Sequence, residues 1–321
     1  MKKYDVTALG ELLIDFTENG TSGQGNPVFE ANPGGAPCNV LSMLSKLGHN
    51  TAFIGKVGND FFGKQLKEAI EEVGIDSIGL CMDEKVHTTL AMVHTYPDGD
   101  RDFSFYRNPG ADMMLQKEDI REELIRNTKI FHFGTLSMTH ETVREATRRA
   151  IEIAKQSGAL LSFDPNLREP LWNSLEEAKE QVLYGLNHCQ ILKISDNEII
   201  WLTGQEDYTK GVEWILERYQ IPLILVSMGK EGSRAYYHGR MIEVKSFIQE
   251  KTIETTGAGD TFCGCVLHYI CEHGLKELSD GNLQEMLVFA NAAASIVTTR
   301  KGALRVMPET KEIEELIKAV Q

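Results

Sequence analysis

The stretch IFHFGTLSMTHETVREATRRAIEIAKQSGALLSFD, residues 130–164, contains two short apolar runs separated by a helical pattern. The runs at 130–133 and 160–164 are rich in β-forming residues, which is typical of buried strands. Between them, apolar residues recur on one face of a helix, at Val143, Ala146, Ala150, Ile151 and Ala154. This order of strand, helix and strand predicts a parallel βαβ unit.

The same alternation continues along the chain. Further apolar runs at 191–194 and 223–227 predict two more buried strands, with helical segments between them. Near-continuous apolar strands separated by amphipathic helices predict an α/β fold, with a mostly parallel sheet covered on both faces. A chain of 321 residues has room for one large domain of this kind or for two smaller ones.

Two segments interrupt this alternation. Residues 88–107, TTLAMVHTYPDGDRDFSFYR, predict a hairpin that turns at Asp98-Gly99. Residues 10–33 form another helix-poor stretch, which carries LLIDF and NPVFE. Since neither segment fits a βα unit, we expect a small antiparallel sheet that stands off the main domain as a lid. A lid suits chemistry from which water must be excluded.

Composition narrows the class of protein. A formal net charge of -14 argues against a nucleic-acid or anionic-membrane partner, because both require a basic face. No apolar run approaches the ~20 residues of a membrane helix, and early acids interrupt any signal-peptide core. The six cysteines include no CxxC pair, which favours buried free thiols in a reducing compartment. We expect a soluble, cytoplasmic protein.

The motif PGGAPCNV, residues 33–40, places two glycines before a helical pattern. Backbone amides at that helix start could bond a neutral polyol, and Asn39 could both donate and accept. A tight loop in which Asn39 merely caps the helix explains the motif equally well.

The motif TTGAGDTFCG, residues 255–264, follows a strand-like lead at 252–254 and opens a helix that ends at Gly274. It lacks the third glycine of a dinucleotide fingerprint, and the chain has no GxxxxGK[ST] phosphate loop. Amides at Gly257, Ala258 and Gly259 at a helix start would nevertheless form an anion site. Asp260 would ordinarily stabilise the helix, but the two glycines indicate that a ligand approaches this turn closely.

Three more motifs directly follow predicted strands. Arg168 belongs to the first, SFDPNLREPLW, and Lys193, Asp196 and Glu198 belong to the second, LKISDNEI. In the third, VSMGKEGS, Gly229 and Gly232 flank a turn. A surface salt bridge explains Arg168 alone, and a β-turn explains the glycines alone. Because all three motifs follow strands, we expect them to lie together at one edge of one sheet. Ligands bind at this edge in open α/β folds.

The two glycine-rich motifs, in this order, resemble the two signatures of the ribokinase-like (pfkB) carbohydrate kinases. The resemblance extends from GELLIDF to KGALRVMP, and DFSFYRNPGADMML and FHFGTLSM are most similar to fructokinases. It implies one ribokinase-like domain over residues 1–321, a three-layer α/β/α sandwich whose lid comes from two insertions, about 10–33 and 86–112. Relatives often pair through their lid sheets, which implies a homodimer.

The resemblance also implies roles for single residues. Asp260 would be the catalytic base, and Gly257, Ala258 and Gly259 would form the anion hole. The sugar would be held by Asp15, Gly34, Gly35 and Asn39, with Tyr106 and Arg107 reaching in from the lid. Arg168 and Lys193 would lie near phosphates, and the nucleotide site would be lined by Ser227, Gly229, Gly232 and, near the adenine, Asn291.

Cation sites follow from the same resemblance. Glu198 would act on Mg²⁺ through its waters, although Ser195 stands where the family has asparagine. Glu254, Thr256 and Gly302 match the loop that binds a monovalent cation such as K⁺ in many members. Val306 stands where ribokinases often have serine, which leaves potassium dependence open.

The implied reaction is transfer of the γ-phosphoryl group of ATP to a sugar hydroxyl. The fructokinase-like segments favour D-fructose and its product fructose 6-phosphate. The alternative is 2-keto-3-deoxygluconate, an anion that Arg107 could pair with, and more remotely ribose or a nucleoside. In this scheme Asp260 accepts the proton late and needs no raised pKa.

Overall fold

The computed structural model of the chain describes residues 2–95 and 101–320. Its strands are β1 Tyr4–Leu9, β2 Leu13–Thr21, β3 Pro27–Gly34, β4 Thr51–Gly58, β5 Ile75–Asp83, β6 Leu90–Thr95, β7 Arg101–Tyr106, β8 Thr128–Phe133, β9 Leu160–Phe163, β10 Ile191–Ser195, β11 Leu223–Ser227, β12 Ser233–Tyr237 and β13 Arg240–Val244. Its α-helices are α1 Ala36–Lys46, α2 Phe61–Glu72, α3 Glu122–Arg126, α4 Glu141–Gln156, α5 Leu175–Leu186, α6 Asp196–Thr203, α7 Tyr208–Leu216, α8 Ala258–His273, α9 Asp280–Val297 and α10 Thr310–Val320.

The central sheet has the strand order β13-β12-β11-β10-β9-β8-β1-β4-β5. The pairings from β11 through β5 are all parallel, and the hairpin β12–β13 adds two antiparallel strands at one edge. Because parallel strands need crossover connections, helices lie on both faces of the sheet. This arrangement confirms the predicted α/β/α sandwich with a mostly parallel sheet.

Strand β11 shows why the apolar runs form the centre of the sheet. Leu223 and Leu225 pack into the core on one face, and Ile224 and Val226 pack into the core on the other. All four side chains are fully buried. Helices α1, α2, α8, α9 and α10 supply the first core, and helices α3 to α7 supply the second. A strand covered on both faces has no reason to alternate with polar residues.

A second sheet of four strands has the order β3-β2-β6-β7. Strand β2 pairs with β3 antiparallel and with β6 parallel, so residues from two distant segments of the chain share one sheet. Asp15 stands opposite Asn32 on one side and Ala91 on the other. The sheet therefore contains one parallel pairing in addition to the expected antiparallel ones. The predicted turn at Asp98-Gly99 lies outside the described residues.

The segment before the second glycine-rich motif differs from its expectation. Residues 251–255 form no strand and run as irregular backbone into α8. The amides of Ile253 and Glu254 both donate to the carbonyl oxygen of Thr298, at 2.8 and 3.2 Å. These bonds to the end of α9 replace the sheet pairing that the β-forming residues suggested.

Candidate active site

The first turn of α8 is built around a glycine in left-handed conformation. Gly257 caps the helix with a φ of 77°, and a Cβ atom at this position would lie 2.6 Å from Cβ of Ala303. Only glycine fits such a turn without strain. The amides at the start of a helix have no partner within the helix, so this turn is suited to bind an anion.

Asp260 follows in the same turn and contacts the first turn of α1. Its Oδ2 atom accepts a hydrogen bond of 2.8 Å from Nδ2 of Asn39. Desolvation raises the pKa of Asp260 to about 6 with help from the negative charge of Asp164, while Asn39, Lys193 and Arg168 pull it down. The proposed late proton transfer does not require this shift, but the burial of the carboxyl produces it. A carboxylate with such a pKa is still ionised at neutral pH and is a better base than an ordinary aspartate.

Lys193 lies beside the same turn, in the middle of β10. A Cβ atom on Gly259 would lie 3.3 Å from its Nζ atom. Nζ forms a buried ion pair of 3.0 Å with Oδ2 of Asp164, at the end of β9. Burial opposes the charged form of Lys193, but the carboxylates of Asp164, Glu198 and Asp260 outweigh it and raise the pKa. The site thus holds a permanent positive charge next to the amides that begin α8.

A cavity of about 350 Å³ opens in front of Asp260, and we call it the Asp260 cavity. The structure brings together here the following predicted residues: Asp15, Gly35, Asn39, Arg168, Lys193, Thr256, Gly257, Gly259 and Asp260. Sequence reasoning missed other residues of the lining, namely Glu11, Leu13, Ala36, Phe105, Leu136, Asn166 and Thr255. The lining is rich in hydrogen-bonding groups and suits a small polar molecule.

Gly34 does not line this cavity but packs directly behind it. A Cβ atom on Gly34 would lie 2.4 Å from Oδ2 of Asp15, so the missing side chain leaves room for the Asp15 carboxylate. Gly35 has a φ of 126°, and a Cβ atom there would lie 2.4 Å from the carbonyl oxygen of Glu11. Both glycines are required by close packing, which the paired-glycine motif indicated.

The structure does not bring Tyr106 and Arg107 to the Asp260 cavity. Tyr106 is 65% exposed, and its neighbour Phe105 lines the cavity instead. Successive residues of a strand point to opposite faces, so only one of the two can face inward.

Arg107 forms a buried network behind the cavity wall. Its guanidinium pairs with Oδ2 of Asp112 at 2.7 Å, and it also donates to Oγ1 of Thr139 and to the carbonyl oxygen of Leu136. Its side chain is only 2% exposed. In this structure Arg107 holds the lid to the main domain and does not contact the cavity.

Glu11 is the most informative of the residues that sequence reasoning missed. The carboxylate accepts a hydrogen bond of 2.9 Å from the amide of Ala36, in the first turn of α1. Burial raises the pKa of Glu11 to about 7, against the opposing effect of this bond. The sequence signal that could have identified it is an acid two residues after the buried strand β1, in the segment GELLIDF.

A second cavity of about 360 Å³ lies on the other side of the α8 turn, and we call it the Ser227 cavity. Its lining includes the predicted residues Ser227, Gly229, Gly232, Ala258 and Asn291, together with apolar Phe247, Ile248 and Phe262. Asn291 also holds the wall in place, since its Oδ1 accepts from Oγ of Ser233 and its Nδ2 donates to the carbonyl oxygen of Val244. Thr255 and Gly259 line both cavities, so the two spaces meet at the first turn of α8.

Comparisons with known proteins identify the family. The model of the pfkB family of carbohydrate kinases matches residues 3–310. The chain belongs to the pfkB family. It is an ATP-dependent carbohydrate kinase. Its first glycine-rich signature lines the Asp260 cavity, and its second signature lies where the two cavities meet.

Relatives of this kinase cover almost its full length. It is 42% identical to fructokinase-1 of Zea mays over 317 residues, which is 97% of each chain. It is 40% identical to fructokinase-2 of Solanum lycopersicum over 318 residues, covering 98% of this chain and 96% of the relative.

Solved structures give the same result. A fructokinase from Xylella fastidiosa with bound ATP superposes with a TM-score of 0.89 at 28% identity, covering 100% of this chain and 99% of the other. A double mutant of the fructokinase from Vibrio cholerae O395, bound to fructose, ADP and potassium, gives a TM-score of 0.88 at 27% identity and covers 99% of both chains. Within the described residues, no helix of this kinase is long and apolar enough to span a membrane.

The predicted cation residues of this kinase lie near the two cavities but have other partners. Both carboxylate oxygens of Glu198 accept hydrogen bonds, Oε1 from the amide of Leu167 and Oε2 from the amide and hydroxyl of Ser195. Ser195 therefore caps α6 in place of the family's asparagine. Oε1 of Glu254 accepts a bond of 2.9 Å from the amide of Gly302, so two of the three residues matched to the cation loop contact each other.

Proposed function

We propose that this kinase transfers the γ-phosphoryl group of ATP to D-fructose and forms fructose 6-phosphate. The observation that carries the proposal is the meeting of the two cavities at the α8 turn, with Asp260 on one side and the amides of residues 257–259 between them. The Asp260 cavity would hold the sugar and the Ser227 cavity the nucleotide. The curated relatives named above, both fructokinases, support this choice of sugar.

Each residue around the α8 turn has a separate role in the proposed reaction. Asp260 would accept the proton of the attacking hydroxyl, and Asn39 would orient its carboxylate through the 2.8 Å hydrogen bond. Phosphoryl transfer has a loose transition state, so charge stabilisation and positioning supply most of the catalysis. The helix amides and the Lys193 ammonium would neutralise charge on the transferring group. The strand β7 residue Phe105 would close the sugar side against water.

The charges that line the Asp260 cavity favour a neutral sugar over a keto-acid. Acidic side chains from Glu11, Asp15 and Asp260 face it, against the cationic Arg168 and Lys193. The arginine that would have paired with a substrate carboxylate, Arg107, is instead paired with Asp112. A carboxylate substrate would therefore meet more repulsion than a polyol, whose hydroxyls donate to carboxylates.

The nucleotide would enter as a magnesium complex, because Mg²⁺ neutralises the β- and γ-phosphates of ATP during transfer. Carboxylate oxygens are the ligands that Mg²⁺ prefers, and it usually keeps several waters. Glu198 lies near Lys193, and main-chain donors already hold its carboxylate oxygens in place. It would therefore contact Mg²⁺ through such waters. Glu254, Thr256 and Gly302 would form the monovalent-cation loop, for which K⁺ is the proposed ion.

A substrate panel tests the proposal. Purified protein is mixed with Mg-ATP, and ADP release is followed with fructose, ribose, 2-keto-3-deoxygluconate, adenosine and fructose 6-phosphate. We expect kcat/KM for fructose to exceed that for each of the others by at least about 100-fold, the size of discrimination that well-placed hydrogen bonds provide. Preference for the keto-acid would contradict the choice of sugar, and absence of turnover with all five would contradict the assignment of the site.

We further propose that the protein acts in the cytoplasm and pairs through its lid. All six cysteines are free, as expected in a reducing compartment. On β3, Val28 and Phe29 are each 40% exposed, an apolar edge that a second lid could cover. Light scattering on the purified protein should report a dimer, and a monomer at micromolar concentration would contradict the pairing.

A further inference from the structure

The two helices that carry the signatures, α1 and α8, pack side by side along their length. Asn39 and Asp260 join their first turns. In the middle, a Cβ atom on Gly264 would lie 2.8 Å from Cβ of Met43 and 3.0 Å from the carbonyl oxygen of Val40. At the far end, Nε2 of His49 lies 2.7 Å from Nδ1 of His268. Hydrogen bonds thus join the helix pair at both ends. The proposed mechanism uses only the bond between Asn39 and Asp260.

The far end contains a compact set of metal-binding side chains. Ligand atoms of His49, His268 and Glu272 all lie within 4.8 Å of one another in the described part of the chain. His268 and Glu272 are four residues apart on α8, so both side chains project from the same face of the helix. His49 comes from the loop between α1 and β4.

A carboxylate lies near the other ring nitrogen of His49. Nδ1 of His49 lies 3.5 Å from Oδ2 of Asp5, and the His49 side chain is only 6% exposed. Asp5 is itself held by the amide of Asn50 and by Nζ of Lys129, at 2.9 and 2.7 Å. A carboxylate on one ring nitrogen fixes the tautomer and turns the lone pair of the other nitrogen to the metal, which is typical of metal-binding histidines.

We propose that His49, His268 and Glu272 bind a divalent transition-metal ion of the Zn²⁺ type, with water in the fourth position. Two imidazoles and one carboxylate form a ligand set that suits zinc and its neighbours, whereas Mg²⁺ and Ca²⁺ prefer oxygen ligands. Zn–N bonds of about 2.0–2.1 Å place two ligand nitrogens about 3.3 Å apart in a tetrahedral site. The two rings, now joined by a hydrogen bond, would separate slightly, and the proton on Nδ1 of His268 would shift to Nε2 of the same ring so that Nδ1 can bind the ion.

The ion would stabilise the fold and take no part in the chemistry. His268 lies eight residues beyond Asp260 on α8, which is about 12 Å along a helix. A metal at this end would tie the loop after α1 to the last turns of α8, and so hold the two signature helices in register. Because the ion binds the folded protein preferentially, it raises the free energy of unfolding as its concentration exceeds the dissociation constant.

Isothermal titration with Zn²⁺, on protein freed of metal by a chelator, tests the proposal. We expect saturable binding of one ion per chain and a melting temperature that rises by several degrees. His49→Gln and His268→Gln should each weaken binding at least about 10-fold, as should Glu272→Gln, while Asp5→Asn should weaken it about 10–100-fold as an outer-shell partner. The matched control is His273→Gln, because His273 lies on the same helix but bonds the carbonyl oxygen of Tyr269 and should leave binding unchanged.

Unchanged affinity in both His49→Gln and His268→Gln, or no stoichiometric binding to the wild-type protein, would overturn the proposal. If a variant fails to fold, anomalous diffraction at the zinc absorption edge from wild-type crystals shows where the ion binds. A peak between His49 and His268 supports the site, and a peak elsewhere alone contradicts it.

Discussion

Nδ2 of Asn39 donates a 2.8 Å hydrogen bond to Oδ2 of Asp260, and the two residues are 221 positions apart in the chain. The bond joins the first turns of α1 and α8, and so links the two glycine-rich motifs into one site. Asn39 is buried and Asp260 faces the cavity. The carboxylate that we assign as base is therefore held by the helix that would bind the sugar.

Replacing Asp260 with asparagine should reduce kcat with fructose by about 10²–10⁴, the usual contribution of a general base. The substituted amide keeps the shape of the carboxylate, so circular dichroism should show an unchanged fold. The control is Asp280→Asn, which removes an aspartate from the first turn of α9 and should leave kcat unchanged. Full activity in the Asp260→Asn variant would mean that this acid only stabilises its helix.

The pH dependence of kcat/KM should follow the Asp260 carboxyl. Because desolvation raises its pKa to about 6, the base is ionised above that pH and is progressively protonated below it. We expect kcat/KM to be level above pH 7 and to fall about tenfold per unit well below pH 6. Glu11 has a pKa of about 7 and also lines the cavity, so Glu11→Gln serves as the control. If the acid limb disappears in that variant, Glu11 and not Asp260 controls the rate.

Lys193→Met should separate catalysis from stability. The change removes the ammonium beside Gly259 and should lower kcat about 10²–10³-fold, as expected for loss of one charge-stabilising group. It also leaves Asp164 buried without its partner, which should lower the free energy of unfolding by about 3–5 kcal/mol. Adding Asp164→Asn should restore stability, measured by urea unfolding, without restoring kcat. Recovery of both would show that the lysine acts only by pairing with Asp164.

Gly257→Ala should destabilise the protein more than a matched change at Gly158. Both glycines have positive φ, 77° and 68°, and alanine costs about 1–2 kcal/mol in this conformation. A Cβ atom at Gly158 meets no described atom within 4 Å, whereas one at Gly257 would lie 2.6 Å from Ala303. Overpacking adds about 1–3 kcal/mol, and the shifted turn should lower kcat. An equal decrease in the free energy of unfolding in the two variants would show that Ala303 does not constrain the turn at Gly257.

Phe105→Ala should raise KM for fructose several-fold and increase ATP hydrolysis without sugar, because Phe105 covers the Asp260 cavity from the lid. Tyr106→Ala removes a ring of similar size from the opposite face of the same strand and should change neither quantity by more than about twofold. Steady-state kinetics with coupled ADP detection measures both. A larger effect at Tyr106 would mean that the lid presents its other face to the sugar.

The elements that sequence patterns predicted well are those with strong local signals. The run at residues 223–227 coincides with β11, and the helix predicted to end at Gly274 has that residue as its C-cap. Buried parallel strands are continuously apolar, and left-handed C-caps favour glycine, so both features can be recognised from a few adjacent residues. The glycines of the α8 turn are informative for the same reason.

The features that local sequence patterns did not predict are those that depend on residues distant in the chain. The family resemblance implied that Arg107 contacts the sugar, but its guanidinium is bonded to Asp112, Thr139 and Leu136. Whether Phe105 or Tyr106 faces inward depends on the register of the hairpin, and shifting a strand by one residue exchanges its two faces. The raised pKa of Asp260 likewise depends on burial between two helices, which neither motif encodes alone.

The wall that the two cavities share, formed by Thr255 and Gly259, has a consequence for ligand design. A single molecule with a fructose unit and an adenosine unit at opposite ends of one oligophosphate chain could occupy both spaces at once. Linking two binding groups makes the second contact intramolecular, so such a bisubstrate conjugate would bind far more tightly than either half. It would also discriminate against ATP-binding proteins that lack a polyol site directly across one helical turn from the nucleotide.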